Sequence, residues 1–314
     1  MSLERALELA ELGRGHVEHT HPLVGAVVVR DGETVGEGWY AGRGTPHAEV
    51  VALEEAGDRA RGATLFVTLE PCSHHGATPP CADAVVAAGI SRVVAGAVDP
   101  NPEVDGRGFA RLREAGIEVE LVDSWAARRQ NEAWRTWISR GRPFVVYKVA
   151  VTLDGRVAVP GSRWVSGDES RRRVHELRAE SDAVAVGMGT VRADDPSLTA
   201  RGVGVRTQPR RVVFGRGPLP EGSELELRSG PLEEELAALA REGVGTLLLE
   251  GGPTLAGAFL TADLVVKLLV FVAPTLAGAG AGPVASLPEP RALRRLSSEQ
   301  VGEDVLLTAY VHEP

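Results

Sequence analysis

Apolar and polar positions follow two different periods along this chain, and the changes of period mark its elements. Apolar residues at 3, 6, 7 and 10 draw one stripe down a helix over Ser2–Glu11. A continuous apolar run predicts a strand over residues 24–29, and Asp31-Gly32 supplies the hairpin turn into a strand over 34–40. Thr45 as N-cap and Pro46 at the first helical position predict a helix that Gly57 closes. A strand over 63–69, a helix from Pro80 to Gly89, a strand over 93–98, a helix across 107–115 and a strand over 118–122 complete the series. Such alternation builds a sheet with helices on its faces.

Residues 124–142 are expected to be helical and Arg-rich, with Gly141-Arg142-Pro143 as a boundary. The pattern then restarts. A strand is predicted over 144–151, and a Ser166-x-x-Glu169 capping box opens a helix to about residue 180. Strands follow over 183–186, 211–214, 246–250 and 265–273. The expectation is two α/β domains, 1–142 and 143–314, with no internal repeat.

A length of 314 residues suits two domains, and 43% hydrophobic residues are enough to fill two ordinary cores. The net charge of −9 argues against nucleic acid or an anionic membrane as partner. A small anionic ligand is still compatible, because a local arginine cluster can hold one phosphate. The chain has no apolar run long enough to span a bilayer, and its first residues lack a basic and an apolar segment, so a cytoplasmic protein is expected. Two cysteines make no disulfide framework. Lysine occurs only at 148 and 267, and a GC-rich genome explains that bias better than heat adaptation does.

The strongest chemistry lies in His47-Ala48-Glu49, followed by Pro71-Cys72 and Cys81. A catalytic zinc site takes three nitrogen or sulfur ligands and leaves one position open to water. His47, Cys72 and Cys81 supply three, and they consume both cysteines. Glu49 is then free to carry protons. Zinc deaminases share H-x-E followed by P-C-x-x-C. Here eight residues separate the cysteines instead of two.

That departure carries information. The stretch from Thr68 through Cys81, T-L-E-P-C-S-H-H-G-A-T-P-P-C, followed by Asp99-Pro100-Asn101-Pro102, resembles the RibD (RibG) family of bifunctional riboflavin-biosynthesis deaminase/reductases. The resemblance covers nearly the whole chain. It implies an N-terminal cytidine-deaminase-like α/β/α domain in which His47, Cys72 and Cys81 hold Zn2+ and Glu49 is the catalytic proton carrier. Two positions depart from the family pattern. His21 stands in His21-Pro22-Leu23-Val24-Gly25 where the family has an asparagine, and an imidazole cannot copy an amide's paired donor and acceptor. Ala77 stands where relatives carry lysine or arginine. Of the neighbouring histidines, His74 is expected to face substrate and His75 to sit in a loop, while His16 and His19 are expected at the surface.

In the second half, Lys148 lies on a strand before the turn Leu153-Asp154-Gly155. A lysine there is ordinarily a solvated edge residue. Gly187-Met188-Gly189-Thr190 follows a strand as a dinucleotide loop does, but Arg192 stands where a third glycine belongs, so it is no Rossmann fingerprint. Glu250-Gly251-Gly252 ends another apolar strand before a helix, where backbone N–H groups can approach a pyrophosphate. These segments, with the run from Gly189 to Thr199, resemble the reductase domain of the same family. The resemblance implies a dihydrofolate-reductase-like α/β fold that uses NADPH. Ala150, Trp164, Thr190, Asp194, Gly252, Pro253 and Thr254 would border the cofactor. Ser162, Arg178, Leu198, Arg201 and Glu250 would border substrate. Lys148 joins Asp194 and Glu250 as a possible orienting group or proton donor. Arg171-Arg172-Arg173 are expected on a solvated helix face.

The leading expectation is a bifunctional enzyme acting on a pyrimidine ribosyl phosphate and forming a homo-oligomer, without nucleic-acid or membrane partners. A second expectation keeps the reductase and treats the first domain as weakened, on the strength of His21 and Ala77. A nucleic-acid deaminase fits poorly, because only 4% of residues are aromatic and no stacking platform shows.

Overall fold

The structure, a computed structural model, describes residues 2–18, 20–74 and 79–313, so His19, His75 and Ala77 lie outside it. The chain divides into two compact units, Met1–Arg140 and Gly141–Glu313.

The first unit contains α1 (Ser2–Glu11), β1 (Gly25–Arg30), β2 (Glu33–Trp39), α2 (Ala48–Ala56) and β3 (Thr64–Val67). It continues with α3 (Cys81–Ala87), β4 (Arg92–Ala95), α4 (Arg107–Glu114), β5 (Glu118–Leu121), α5 (Trp125–Gln130) and α6 (Glu132–Arg140). Its sheet runs β2-β1-β3-β4-β5, with β1 antiparallel to both neighbours and β3, β4 and β5 parallel. Period-two alternation sorts the strands' side chains onto two faces. Ala26, Val28, Leu65 and Val67 pack with α2, α3 and α4, whereas Val27 packs with Ala6 and Leu9 of α1.

The second unit contains β6 (Phe144–Thr152), α7 (Asp168–Ala179), β7 (Ala183–Gly187), α8 (Met188–Asp194), β8 (Arg210–Phe214) and β9 (Glu226–Arg228). Then come α9 (Leu232–Arg241), β10 (Thr246–Leu249), α10 (Pro253–Thr261), β11 (Lys267–Ala273), β12 (Arg294–Val301) and β13 (Asp304–Tyr310). The sheet order is β12-β13-β11-β6-β10-β7-β8-β9, parallel from β11 through β9. One face, with Val145, Tyr147 and Leu247, packs on Leu236 of α9 and Phe259 of α10; the other meets Val174 of α7 and Met188 of α8.

Four local expectations fail for physical reasons. Thr45 does not cap α2; its hydroxyl donates to Gly42 O (2.7 Å), and the helix starts at Ala48 with His47 as N-cap. The 124–142 helix breaks at Asn131, whose amide exchanges hydrogen bonds with the Leu23 backbone (2.7 and 2.9 Å). The Ser166/Glu169 capping box does not form, because the Gly167 N–H at the N-cap of α7 donates to the Asp304 carboxylate (2.8 Å). Lys148 is not at an edge: β6 lies between β11 and β10, and the Lys148 side chain is 15% exposed.

Candidate active sites

Three local structures deliver the metal-ligand candidates. His47 is the N-cap of α2, Cys72 follows β3 beyond Pro71, and Cys81 is the first residue of α3. Their ligand atoms all lie within 4.8 Å of one another. His47 Nδ1 is 3.1 Å from Cys81 Sγ and 3.6 Å from Cys72 Sγ, while the Cys81 backbone N–H donates to Cys72 Sγ at 3.3 Å. The thiols are not bridged. A helix N-terminus and a neighbouring imidazole both favour thiolate. Hydrogen bonding from Cys81 and His47 holds the Cys72 thiol down to about 4; Cys81, beside that charge, is raised. One nitrogen and two sulfur donors in this cluster fit zinc. The Tyr40 ring stands edge-on to His47 at 5.5 Å.

Glu49 follows two residues later and is 3% exposed. Burial, followed by the charge of Cys72, pushes its carboxyl up to about 7. A carboxyl poised there accepts and returns a proton near neutrality. His74 Nδ1 is buried without a hydrogen-bond partner, and His21 sits beside the Thr20 hydroxyl at 3.2 Å. His16 is exposed.

In the second unit the parallel strands place another cluster. The register of β6 on β10 pairs Tyr147 with Leu249, which sets Lys148 beside Glu250 at the end of β10. Lys148 Nζ lies 3.5 Å from Glu250 Oε2, and Arg178 of α7 forks onto both Glu250 oxygens at 2.6 and 3.1 Å. Burial alone raises the Glu250 pKa, but Lys148 and Arg178 outweigh it and hold it below the ordinary carboxylate value. Arg178 also donates to Thr199 O (3.1 Å). That ties it to the segment of Leu198, which is buried at a φ of 52°, and of Arg201. Arg201 donates to the hydroxyls of Ser197 and Thr199.

The other proposed cofactor positions spread along the ends of β6, β7 and β10. Ala150 is on β6; Thr190 and Asp194 are on α8, which starts directly after β7 without a loop. Gly252 is the N-cap of α10, with Pro253 and Thr254 in its first turn. Thr190 Oγ1 lies 3.8 Å from where a side chain at Gly252 would begin. Trp164 is half exposed with Arg163 and Arg171 over its ring, and the exposed Ser162 hydroxyl donates to Trp164 O. Among the described residues, neither Trp164 nor Ser162 shares a hydrogen bond or ion pair with the Glu250 cluster.

Sequence reasoning passed over several residues that hold these sites. Buried Glu70 accepts three backbone N–H groups from the 99–109 segment. Buried Asp99, its carboxyl pushed up to about 7 by burial, accepts from Asn101 N. Asp154 accepts from Ala277 N and Gly278 N and so pins the loop beyond β11. His175 Nδ1 accepts from Arg201 N at 3.2 Å. Apart from Asp99, which binds the backbone two residues on, their partners are distant backbone groups, which no local motif displays.

Residues 2–97 match the profile of the cytidine and deoxycytidylate deaminase zinc-binding region, and residues 143–307 match the RibD C-terminal domain. The chain is 39% identical to the riboflavin biosynthesis protein RibD of Aquifex aeolicus, covering 97% of this chain and 96% of that protein. It is 40% identical to the Escherichia coli RibD over 91% of this chain and 90% of that protein. Among solved structures it is similar to Acinetobacter baumannii RibD (TM-score 0.81, 36% identity, 98% of this chain and 97% of that one). It is also similar to a Thermotoga maritima diaminohydroxyphosphoribosylaminopyrimidine deaminase/5-amino-6-(5-phosphoribosylamino)uracil reductase (TM-score 0.82, 34% identity, with the same coverage). The chain belongs to the RibD family, the bifunctional deaminases and reductases of riboflavin biosynthesis, with a zinc-binding deaminase half and an NADPH-using reductase half.

Proposed function

We propose that the first half deaminates 2,5-diamino-6-ribosylamino-4(3H)-pyrimidinone 5′-phosphate. The second half then reduces the ribosyl group of 5-amino-6-(5-phosphoribosylamino)uracil to ribityl. The convergence of His47, Cys72 and Cys81 beside buried Glu49 carries the first step. His47, Cys72 and Cys81 would hold zinc, which would supply the acidity that makes water a nucleophile near neutral pH. Glu49 takes one proton from water as the C–O bond forms and gives it to the departing amino group, and the second proton of water ends on the ring nitrogen, so that ammonia leaves and a carbonyl remains.

In the second half NADPH, when bound, would supply the hydride needed at C1′ of the ribosyl group. Thr190, Asp194 and the Gly252–Thr254 turn border the cofactor at the C-terminal ends of β7 and β10, together with Ala150 and Trp164. Ser162, Arg178, Leu198, Arg201 and Glu250 border substrate. The arginine forks suit its phosphate, and Arg178 keeps two N–H groups beyond the three it uses on Glu250 and Thr199. Lys148, with Asp194 and Glu250, orients the sugar or supplies the proton taken up as the ring opens. The enzyme works in the cytoplasm as a homo-oligomer.

The test is ammonia release from the diaminopyrimidine phosphate by zinc-loaded protein without NADPH. Release supports the full reading and shows that His21 and Ala77 are tolerated. No release, with NADPH oxidation persisting on the deaminated substrate, leaves a reductase with a silent first half. Arg201→Ala should raise the substrate KM and spare NADPH binding. Loss of cofactor binding instead would place Arg201 elsewhere.

A further inference from the structure

Glu70 precedes Cys72 by two residues, is 3% exposed, and pairs with no cation among the described residues. An unpaired buried carboxylate is costly unless donors surround it. Here they do. Its Oε2 accepts the N–H groups of Asp99 (3.3 Å) and Gly106 (3.0 Å), and Oε1 accepts that of Phe109 (3.2 Å). Gly106 is the N-cap of α4 and brings no side chain to the task. The cap therefore comes from the segment that carries Cys72, and the positive end of α4 favours its charge.

The same junction is tight elsewhere. A Cβ at Gly108 would stand 1.9 Å from Pro71 O and 3.0 Å from Glu70 Oε1, so the first turn of α4 lies directly on the chain leading into Cys72. Gly106 lies at a φ of 85°, where side chains are strained and the extended conformation of a capping residue is not available, so α4 is not capped from position 106. Taking the cap from Glu70 instead joins three pieces into one: the Cys72 segment, the Asp99–Asn101 turn and the start of α4.

We propose that Glu70 is a positioning residue of the deaminase half, which fixes Cys72 Sγ relative to His47 and Cys81 by clamping the Cys72 segment to the N-terminus of α4. The proposal rests on the deaminase reading for its catalytic consequence, but not for its effect on metal binding.

The test uses the full chain with Glu70→Gln and Glu70→Asp. Glutamine keeps the shape but turns an amide NH2 toward a backbone donor. Aspartate keeps the charge but withdraws it by one methylene. Zinc affinity is read by chelator competition, ligand geometry by the thiolate-to-metal absorption of the cobalt-loaded protein, and turnover by ammonia release. Circular dichroism and the melting transition of the full chain report folding, and NADPH oxidation reports that the second half is intact.

Glu70→Gln should weaken zinc about 10- to 100-fold, shift the cobalt spectrum and lower kcat for ammonia release comparably, with NADPH oxidation retained. Glu70→Asp should fall between it and the parent. Unchanged zinc affinity and an unchanged cobalt spectrum in Glu70→Gln would overturn the proposal, whatever the turnover. Should Glu70→Gln fail to fold, Glu70→Asp decides by the same two readings. Weaker zinc in the variants of a chain that releases no ammonia would uphold the clamp and sink the deaminase reading. Ammonia release unaltered by either variant, with zinc unaltered too, would do the reverse.

Discussion

Three glutamates withdrawn from solvent, two buried and one nearly so, differ in what surrounds them, and so in what they do. At Glu49 burial and the charge of Cys72 outweigh the partial offset from His47, and the carboxyl rises to about 7. Glu70 is held by backbone N–H groups. Glu250 is less deeply buried, its side chain 9% exposed, and Lys148 and Arg178 keep it ionised. Glu49→Gln should keep stoichiometric zinc and lose about 10²- to 10⁴-fold in ammonia release, measured beside unchanged NADPH oxidation. Glu250→Gln leaves Lys148 and Arg178 without their counter-charge and should cost about 3 kcal/mol or more in denaturant unfolding. The pH dependence follows the sign of the Glu250 shift. Its folded pKa lies below the ordinary carboxylate value, so its contribution is complete above that value and is lost as pH falls through the folded pKa. Melting curves of the parent and of Glu250→Gln should therefore converge in acid. His47, Glu49, Cys72 and Cys81 were legible in the sequence because rare residue types sit at informative spacings. Glu70 was not, since its meaning lies in three N–H groups about thirty to forty residues away.

At the scale of elements, alternation and turn residues disclosed most strands, because burial on one or both faces writes itself into the sequence. Helix starts were less legible. The expected cap at Thr45 lost to a local turn that binds its hydroxyl to Gly42 O, and the one at Ser166 lost to a tertiary partner, the Asp304 carboxylate. β12 was passed over because all but its last residue are exposed, leaving no alternation to read. The displacement at Thr45 has a consequence for the site: with α2 beginning at Ala48, His47 takes the N-cap conformation and reaches the cysteines. The helix is seated by contact rather than by its cap. A Cβ at Gly38 would stand 2.3 Å from Ala48 O, and one at Gly36 would stand 2.1 Å from Ala52 O. Gly38→Ala should push the start of α2 off β2 and carry His47 and Glu49 with it. Displacements of about 1 Å cost on the order of 10² in rate, so ammonia release should fall by that order while NADPH oxidation holds. Equal loss of both activities would show that the substitution unfolds the chain instead.

Across the whole molecule, the two chemistries are supported by separate sheets and separate cores. Among the described residues, the only group of histidine, cysteine and acidic side chains able to gather a metal is His47, Cys72 and Cys81 in the first unit. The charged cluster of the second unit is built from Lys148, Arg178 and Glu250, whose mutual pairing needs no ion. Removing metal should therefore act on one reaction alone. After exhaustive chelation, ammonia release should vanish and return on adding zinc, while NADPH oxidation on the deaminated substrate proceeds at its original rate. Metal binding also stabilises whatever fold it selects, by mass action. Calorimetry of the metal-free protein should accordingly show a lowered transition that zinc restores, beside one that zinc does not move. A single transition shifting as a whole would mean that the two units unfold together. Reductase activity lost on chelation and regained with zinc would mean that the second chemistry also depends on the metal, against the assignment of its charged cluster.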